Sequence, residues 1–464
     1  SFMSAFGRYG TSIHSLSYGG ANQKNDYYFS ASHRTSDGNR ENGKGTVDSF
    51  YGRFGEDREG PWSYCFQLLH TSSDVEDPRA INAPQIPIVE KFSTRGDLFV
   101  AKISRDDKDS NLDVKLYLDD GLQDWLQWDT TVPEPFYSIT DYRNYGIKVK
   151  HQSFPRKSVK LILGIDNDFY GGDFVEERNS GNRSDTSEIF HNLAPYFMLS
   201  QEISKNNGTV VTPSVGLRYN NNSDFSSETN SHLGLKIEKG KTTLALHTSK
   251  SVSYPGIYSA ILFGGGPTGN AWKNLMPEEI DHWEAGLSRE LSKKCKVQVT
   301  YFNDEITNGI KAVFGPGPPQ LLNVGEYESK GWEFTFQIEP HDKLSIFLGG
   351  TISDTTPDDV PYQPERTCTA GITWNPNKRW RHSVDLRYSD DFFAGNQRFP
   401  APTTNVEGTT IINIRSSRKF TDAIAKNKGE YFIAIENLMD REYELKPGYP
   451  MPGRWFTAGV KLLF

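Results

Sequence analysis

The last twelve residues, GRWFTAGVKLLF (453–464), decide the fold class of this chain. Reading back from the end, every second residue is apolar: Phe464, Leu462, Val460, Ala458 and Phe456. A period of two is typical of a half-buried β-strand. The end of a strand in a soluble sheet commonly frays, so an apolar terminus has little use there. We therefore interpret Phe456, Val460, Leu462 and Phe464 as part of the closing strand of a barrel that faces lipid.

The same alternation recurs along the chain, for example in WEFTFQIE (332–339) and LDVKLYL (112–118). In a soluble sandwich the apolar face of such strands meets a second sheet. In an outer-membrane barrel it meets lipid, and the polar face lines the lumen. No run of about 18 apolar residues occurs, which excludes a helical membrane span.

The connections between these strands favour the barrel. Short polar connections are NPNK (375–378), EPHD (339–342), LSKK (291–294) and EKGK (238–241). They alternate with long segments, namely 251–279, 305–326 and 390–408. A membrane barrel has short periplasmic turns at one rim and long extracellular loops at the other, which explains this alternation. Residues 416–429 are an exception, because they are long at a short-turn position.

The spacing predicts an all-β protein, a transmembrane antiparallel β-barrel of about 22 strands. The first strand is a stub within residues 2–10 and the last is 454–464. Residues 1–464 are then a single outer-membrane β-barrel domain. Such a barrel has the size of the large plugged transporters. An even number of strands leaves both ends of the chain at the same rim.

Composition and motifs exclude several function classes. The net charge of −8 and the pI near 5.8 exclude a typical nucleic-acid-binding protein, because such proteins carry an excess of basic residues. The sequence contains no G-x-S-x-G, P-loop or H-E-x-x-H motif, so we expect no enzyme and no cofactor. The ten histidines include no H-x-x-x-H pair, and we predict no metal or haem site from them. Three cysteines, Cys65, Cys295 and Cys368, are interpreted as small apolar fillers.

Several segments carry motifs of a known family. They are SAFGRYGTSIHSLSYGG (4–20), NLMPEEIDHWEAGL (274–287), YFNDEITNGI (301–310), NVGEYESKGWEF (323–334) and IENLMDREYEL (435–445). With the closing strand, they resemble the β-barrel of TonB-dependent outer-membrane transporters, which import iron chelates, cobalamin and related nutrients. The family's N-terminal plug domain and TonB box have no counterpart in residues 1–464, so we assign transport to the parent protein and the shell to this chain.

This resemblance implies a multi-pass protein of the Gram-negative outer membrane. It also implies that the apolar residues of the closing strand, Phe456, Val460, Leu462 and Phe464, are the closure and assembly signal of the barrel. The implied partners are the lipid bilayer with its lipopolysaccharide, the barrel assembly machinery, a small nutrient ligand such as siderophore-bound iron or cobalamin, and TonB through the missing plug segment. An alternative is a plugless pore for passive diffusion. A soluble β-propeller is a third interpretation, but the spacing lacks a blade repeat of about 40 residues.

Aromatic residues of the long loops are our candidates for ligand binding, since large rigid rings offer contact area at a small cost in entropy. They are Trp125, Trp128, Phe136 and Tyr137 in 119–137, Tyr254, Tyr258 and Trp272 in 251–279, Phe314 in 305–326, and Phe392, Phe393 and Phe399 in 390–408. The alternative is that these rings only pack the loops together. In the acidic segment 166–185, Asp166, Asp168 and Asp173 are candidate calcium ligands, with a solvated acidic loop as the alternative.

Overall fold

A computed structural model describes residues 1–22, 24–57, 60–81, 88–129, 136–177, 183–256, 271–313, 320–395, 403–421 and 428–464. These residues form β-strands and one short 3-10 helix, Ala271–Asn274. Within them, no helix has the length and apolar character that a membrane crossing requires.

The strands follow one another along the whole chain. In the first half they are β1 (Phe2–Gly7), β2 (Ser12–Ala21), β3 (Asn25–Ser36), β4 (Gly45–Asp57), β5 (Trp62–Glu76), β6 (Ile88–Asp107), β7 (Ser110–Asp129), β8 (Phe136–Arg156), β9 (Val159–Glu177), β10 (Arg183–Gln201), β11 (Ile203–Ser204), β12 (Thr209–Asn222) and β13 (Glu228–Lys239). In the second half they are β14 (Thr242–Ser253), β15 (Glu278–Ser292), β16 (Cys295–Val313), β17 (Gln320–His341), β18 (Leu344–Thr356), β19 (Arg366–Trp374), β20 (Trp380–Ser389), β21 (Phe392–Gly395), β22 (Thr403–Val406), β23 (Thr409–Thr421), β24 (Lys428–Glu436) and β25 (Trp455–Leu463).

Antiparallel pairing closes the sheet on itself. The last strand, β25, pairs with β1, placing Phe2 opposite Leu462 and Ser4 opposite Val460. The short β11 continues the line of β10 against β12, while β21 and β22 form a separate hairpin. The other 22 strands of the described residues form a closed antiparallel barrel, which confirms the predicted fold. Closure leaves no free sheet edge, as lipid requires, because lipid cannot hydrogen-bond the backbone.

Strand alternation separates an apolar outer face from a polar lumen face. In β7, Leu116 is 50% exposed on the outer face, whereas Tyr117 points into the lumen and donates a hydrogen bond to Asp168 of β9 (2.6 Å). Lys148 of β8 binds the same carboxylate at 3.0 Å. Charged groups of neighbouring strands thus pair with one another inside the barrel, while apolar side chains cover its outside.

Ionisable pairs on the outer face mark where the apolar band ends. They are His33–Asp48 (2.7 Å), His70–Asp97 (2.7 Å) and Arg143–Asp120 (2.9 Å). Register aligns them, because Asp97 lies opposite both His70 and Asp120. Ionisable side chains are costly in hydrocarbon. The lipid boundary therefore lies between this level and the apolar side chains nearer the short turns, such as Leu116.

The two rims differ in their connections, as the sequence predicts. One rim has turns such as 108–109, 157–158, 240–241, 293–294 and 342–343, and we name it the short-turn rim. The other, the long-connection rim, includes 254–277, 390–408 and 437–454. Both chain ends lie at the short-turn rim, at the start of β1 and the end of β25.

Four predicted loop assignments are wrong: in three of them the strands continue far beyond a membrane span, and in the fourth, 416–429, strand residues make up most of the segment. Segments 119–137, 166–185 and 305–326 consist mostly of the ends of β7–β10, β16 and β17. Segment 416–429 is mostly β23 and the start of β24. Neighbouring strands continue their hydrogen-bond ladder into water, as the pairing of Gln127 with Phe136 shows. Each backbone group in such a ladder stays paired, which a long irregular loop would not achieve.

Candidate functional site

A cavity of about 780 Å³ lies at the long-connection rim, beside the seam between the first and last strands. Its walls come from residues of five connections and the adjoining strand ends. They include Tyr9, Arg40, Ile81, Tyr388, Glu407, Arg441, Glu442 and Tyr443. The volume falls in the range of small-molecule sites, and the walls mix aromatic, cationic and acidic groups.

The connection 437–454 forms one wall and is held by Asn437, which is only 3% exposed. The Asn437 side chain accepts a hydrogen bond from the Arg441 amide (2.8 Å) and donates to the carbonyls of Arg441 (2.8 Å) and Pro452 (3.3 Å). Its φ of 49° lies in the left-handed region, which asparagine tolerates better than most residues. One side chain therefore closes this connection on itself. This is the structural role of the motif in 435–445.

Arg40 joins three connections at the opposite wall. Its guanidinium donates to the carbonyls of Pro78 and Arg79, both at 3.0 Å, and lies 5.5 Å from the centre of the Tyr449 ring. Nearby, the Ile81 amide donates to the Gly448 carbonyl at 2.8 Å. The connections that enclose the cavity are thus fastened to one another as well as to the barrel.

Burial shifts the tyrosines of this region toward their neutral form. It raises the pKa of Tyr443, and it also raises the pKa of Tyr449, to which the negative charge of Asp77 contributes. In the connection 390–408, the Asn405 amide donates to Asp391 at 3.0 Å and lowers the pKa of that carboxyl. Near neutral pH the site therefore offers phenol hydroxyls as hydrogen-bond donors beside ionised carboxylates.

A second cavity of about 380 Å³ continues from the first toward the lumen. The two share Tyr388, Thr409, Tyr443, Met451 and Gly453. The second cavity is also lined by Arg387, Asn413 and Glu436, whose strand positions face the lumen. A ligand held at the rim would thus have a polar route into the barrel interior.

Two more family motifs fasten the connection 254–277 rather than form a ligand site. Asn323 of β17 both donates to the Met276 carbonyl (2.9 Å) and accepts from the Met276 amide (2.8 Å). Glu278 accepts a hydrogen bond from the Ile310 amide at 2.8 Å. These bonds tie 274–287 to the later pair 301–310 and 323–334, so the motifs have a structural function here.

The aromatic ligand candidates do not form one site. Trp125 and Phe136 face the lumen at the ends of β7 and β8, with ring centres 5.5 Å apart, whereas Tyr137 is on the outer face. Trp128 belongs to β7, and its side chain is outside the described residues, as are Tyr258, Phe314 and Phe399 entirely. Phe392 and Phe393 lie in β21, where the Phe392 ring is 6.1 Å from that of Tyr362.

Tyr254 and Trp272 belong to a packed cluster on the lumen side of β10. Trp272 is 1% exposed and packs edge-on against Phe190 (5.5 Å between ring centres), and Phe225 bridges Trp272 and Tyr254. Burial raises the pKa of Tyr254 to about 12. In this arrangement the Trp272 ring is closed to a ligand, so the geometry favours the packing alternative for this residue.

The calcium candidates are strand residues with other partners. Asp166 and Asp168 face the lumen, where Lys148 binds both carboxylates, at 3.5 and 3.0 Å, and Arg218 binds Asp166 at 2.9 Å. Asp173 alternates to the outer face. The prediction of an acidic loop at 166–185 is wrong for its described residues, because 166–177 belong to β9 and 183–185 to β10. Cationic side chains already neutralise two of the three carboxylates.

Among the predicted aromatic residues whose side chains the structure describes, none lines the rim cavity. Its rings are Tyr9, Tyr388 and Tyr443, three tyrosines far apart in sequence. Two of them have a signal in the sequence, because Tyr9 belongs to the motif segment 4–20 and Tyr443 to 435–445. Barrel closure places Tyr9 beside Tyr443, since β25 pairs with β1, whereas Tyr388 lies near the end of β20, which reaches the same rim.

Comparison with known proteins agrees with this architecture. Residues 3–438 match the family model described as TonB dependent receptor-like, beta-barrel. Similar solved structures are the copper transporter OprC (TM-score 0.77, 15% identity, covering 99% of this chain and 79% of that chain), the iron transporter FrpB from Neisseria meningitidis (0.75, 13%, 99% and 80%) and the ferric citrate transporter FecA (0.74, 15%, 100% and 79%). At these identities the likeness to the solved structures concerns the fold alone.

Proposed function

This chain belongs to the TonB-dependent receptor-like β-barrel family, and we propose that it forms the wall and the capture site of a nutrient importer in a Gram-negative outer membrane. The cargo is a small, scarce nutrient complex of the size of a metal chelate or cobalamin. Its release into the periplasm would require TonB, acting through a plug segment of the receptor. The solved structures with similar folds carry the names of copper and iron transporters, which supports a metal-containing cargo.

The observation that carries the proposal is the rim cavity and its continuation into the lumen. The cavity is built from connections that are fixed to one another, so its shape is largely formed before a ligand arrives. Its lining offers donors such as Arg40 and Arg441 together with acceptors such as Glu407 and Glu442. A polar ligand with both kinds of group matches such walls better than an apolar ligand.

We expect the outer surface to serve assembly and anchoring. The apolar terminal strand, with Phe464 71% exposed, would be recognised by the barrel assembly machinery. Lipopolysaccharide would contact the outer face near the ionisable pairs that mark the lipid boundary. Neither role involves the cavity, so substitutions at the two places can be tested separately.

Ligand binding to the purified chain in detergent tests the proposal. We would titrate ferric catecholates, ferric hydroxamates, ferric citrate and cobalamin and follow the quenching of tryptophan fluorescence. We expect saturable binding of one class, weakened at least tenfold by Tyr443→Ala or Arg441→Ala. Tyr137→Ala, a ring on the outer face, is the matched control and should bind normally.

Planar-bilayer conductance separates the importer from the passive pore. If none of the four ligand classes binds and the protein conducts ions steadily, the chain is a diffusion pore and the capture proposal fails. If a ligand binds but Tyr443→Ala and Arg441→Ala bind it as tightly as the unsubstituted chain, capture occurs elsewhere and the assignment of the rim cavity is wrong.

A further inference from the structure

A row of imidazoles crosses the lumen face of the wall, outside the lining of the rim cavity. It consists of His232 in β13, His247 in β14 and His282 in β15, and we name it the histidine row. Register places His247 directly opposite Glu284, and His282 opposite Asp304 of β16. The intervening side chains Leu233, Leu246 and Trp283 are exposed on the outer face. The row therefore lies on the polar side of the wall, behind the apolar band.

Two hydrogen-bonded groups, joined by a ring contact, extend this row across five strands. Ser214 Oγ of β12 is 3.0 Å from His232 Nε2, and His232 Nδ1 is 2.8 Å from His247 Nε2. The His247 and His282 ring centres are 5.5 Å apart. At the far end, His282 Nδ1 is 2.6 Å from Asp304 Oδ1. These residues are distant in sequence, which is why spacing alone predicts no histidine site.

The bonds leave nitrogen lone pairs available for a metal. The bond between His232 and His247 requires one ring nitrogen to act as an acceptor, so both imidazoles cannot be protonated while it exists. His282 Nδ1–H donates a hydrogen bond to Asp304, and Nε2 of the same ring lies 3.8 Å from Glu284. In most metal sites, a ligand histidine donates its second ring N–H to such a partner, which fixes the tautomer and the orientation of the imidazole.

We propose that His247, His282 and Glu284 bind a divalent transition-metal ion of the Zn²⁺ or Cu²⁺ class on the lumen wall. Each offers one ligand atom, and these atoms lie within 4.8 Å of one another; no other such group of three occurs in the described residues. Two imidazole nitrogens and one carboxylate suit Zn²⁺ and Cu²⁺, whereas Ca²⁺ and Mg²⁺ favour sites built from oxygen ligands. Three protein ligands leave a coordination position open to a further ligand.

The surrounding wall supports this arrangement. Gly234 lies beside the row, and a Cβ at this position would come 2.5 Å from Ser214 Oγ and 3.1 Å from His232 Nε2. A larger residue would therefore displace the bond that orients His232. Asp304 positions His282 from the other side. The site thus has a partner at each end of the row, and it does not depend on which nutrient the rim cavity takes.

Metal titration of the purified chain tests the proposal. Isothermal titration with Zn²⁺ should show one equivalent bound per chain, and bound Cu²⁺ should show nitrogen hyperfine structure in its electron paramagnetic resonance spectrum. His282→Ala and Glu284→Gln should each weaken Zn²⁺ binding at least tenfold. Asp304→Asn keeps all three ligands and should weaken it by about tenfold to a hundredfold, the usual effect of losing such a support.

His70→Ala is the matched control, because His70 also pairs with a carboxylate, Asp97, at 2.7 Å, but on the outer face. It should leave Zn²⁺ binding unchanged. Heat-modifiable migration on a gel verifies that each variant still forms a barrel. The proposal is overturned if the unsubstituted chain binds no equivalent of Zn²⁺, if folded His282→Ala binds it as tightly, or if His70→Ala weakens binding equally. None of these outcomes bears on ligand capture at the rim.

Discussion

The height of the barrel wall differs around its circumference: it is tall at β6–β10 and again at β16 and β17, and short near the seam between the first and last strands. The tall wall, β6–β10, has strands of 19 to 21 residues, whereas β19, β20, β24 and β25, the short wall, have 9 or 10. A tilted membrane span requires about 9–11 residues. The short wall is therefore little more than a membrane span, while the tall wall extends about as far again into water.

The part of the protein above the membrane is therefore made in two ways, from extended strands or from folded connections. In the tall wall the strands themselves continue, and their side chains pair across the lumen face. Above the short wall the connection 437–454 and the described residues 405–408 enclose the rim cavity instead. The ladder between β25 and β1 places the beginning and the end of the chain side by side at this wall, so connections from both ends contribute to one cavity. The candidate site accordingly lies where the wall is short.

The largest effect should come from overpacking the seam of the short wall. A Cβ on Gly459 would lie 2.6 Å from both the Ala5 Cβ and the Ser4 carbonyl oxygen. We expect Gly459→Val to destabilise closure by about 3 kcal/mol and to remove most of the heat-modifiable band on a gel. Gly371→Val is the control, since nothing lies within 4 Å of a Cβ there. Equal loss in both variants would contradict the assignment of the defect to the seam.

The next effect should come from opening the connection above the short wall. Asn437→Ala removes three hydrogen bonds within 437–454 and puts alanine at a left-handed φ, which should cost about 2–3 kcal/mol locally. Limited proteolysis should then cleave this connection faster, and ligand affinity should fall. Asn377→Ala, in an exposed turn of the short-turn rim, loses comparable bonds to Arg379 and Trp380 and should show neither change.

A smaller effect is expected in the tall wall. Arg218 and Lys148 both pair with the Asp166 carboxylate, and Asp166 is only 7% exposed. Asp166→Asn removes the negative charge that these two cations share. Lys148 keeps Asp168, and both cations are about one third exposed, so we expect a loss of about 1–2 kcal/mol, less than for a fully buried pair. Urea unfolding in micelles measures it. Asp97→Asn on the outer face should change the midpoint of urea unfolding less, because the pair of Asp97 with His70 is solvated.

The smallest effect should come from the short-turn rim, which both walls share. Lys294 lies against Asp342 in fully exposed turns and lowers the pKa of that carboxyl. A lowered pKa in the folded state contributes stability above the ordinary carboxyl pKa, and this contribution disappears as the pH falls through the folded value. Since salt screens exposed pairs, Asp342→Asn should leave the pH dependence of urea unfolding unchanged at 0.15 M salt. A clear change would show that this rim is less solvated than its exposure indicates.

Sequence patterns predicted more of the barrel than of the site. The alternation in 332–339 and 112–118 identified strands correctly, and the alternating connections identified the two rims. The aromatic loop residues failed to predict the rim cavity because ring-rich segments such as 119–137 proved to be strand ends. The sequence did not predict the histidine row, because its members lie on three different strands. Their proximity depends on strand pairing and not on any local spacing of histidines.

The amino-acid sequence by itself determined the closed barrel, its polar lumen and its apolar exterior. It could do so because alternation along a strand depends only on consecutive residues and on the requirement that lipid leave no backbone group unpaired. Only the tertiary structure decided how far each strand rises above the membrane, which connections enclose the rim cavity and which side chains meet in the histidine row. These follow from pairing between strands: the register of β13–β16 brings the histidines together, and the pairing of β25 with β1 brings Tyr9 near Tyr443, although nothing in the local sequence relates these residues.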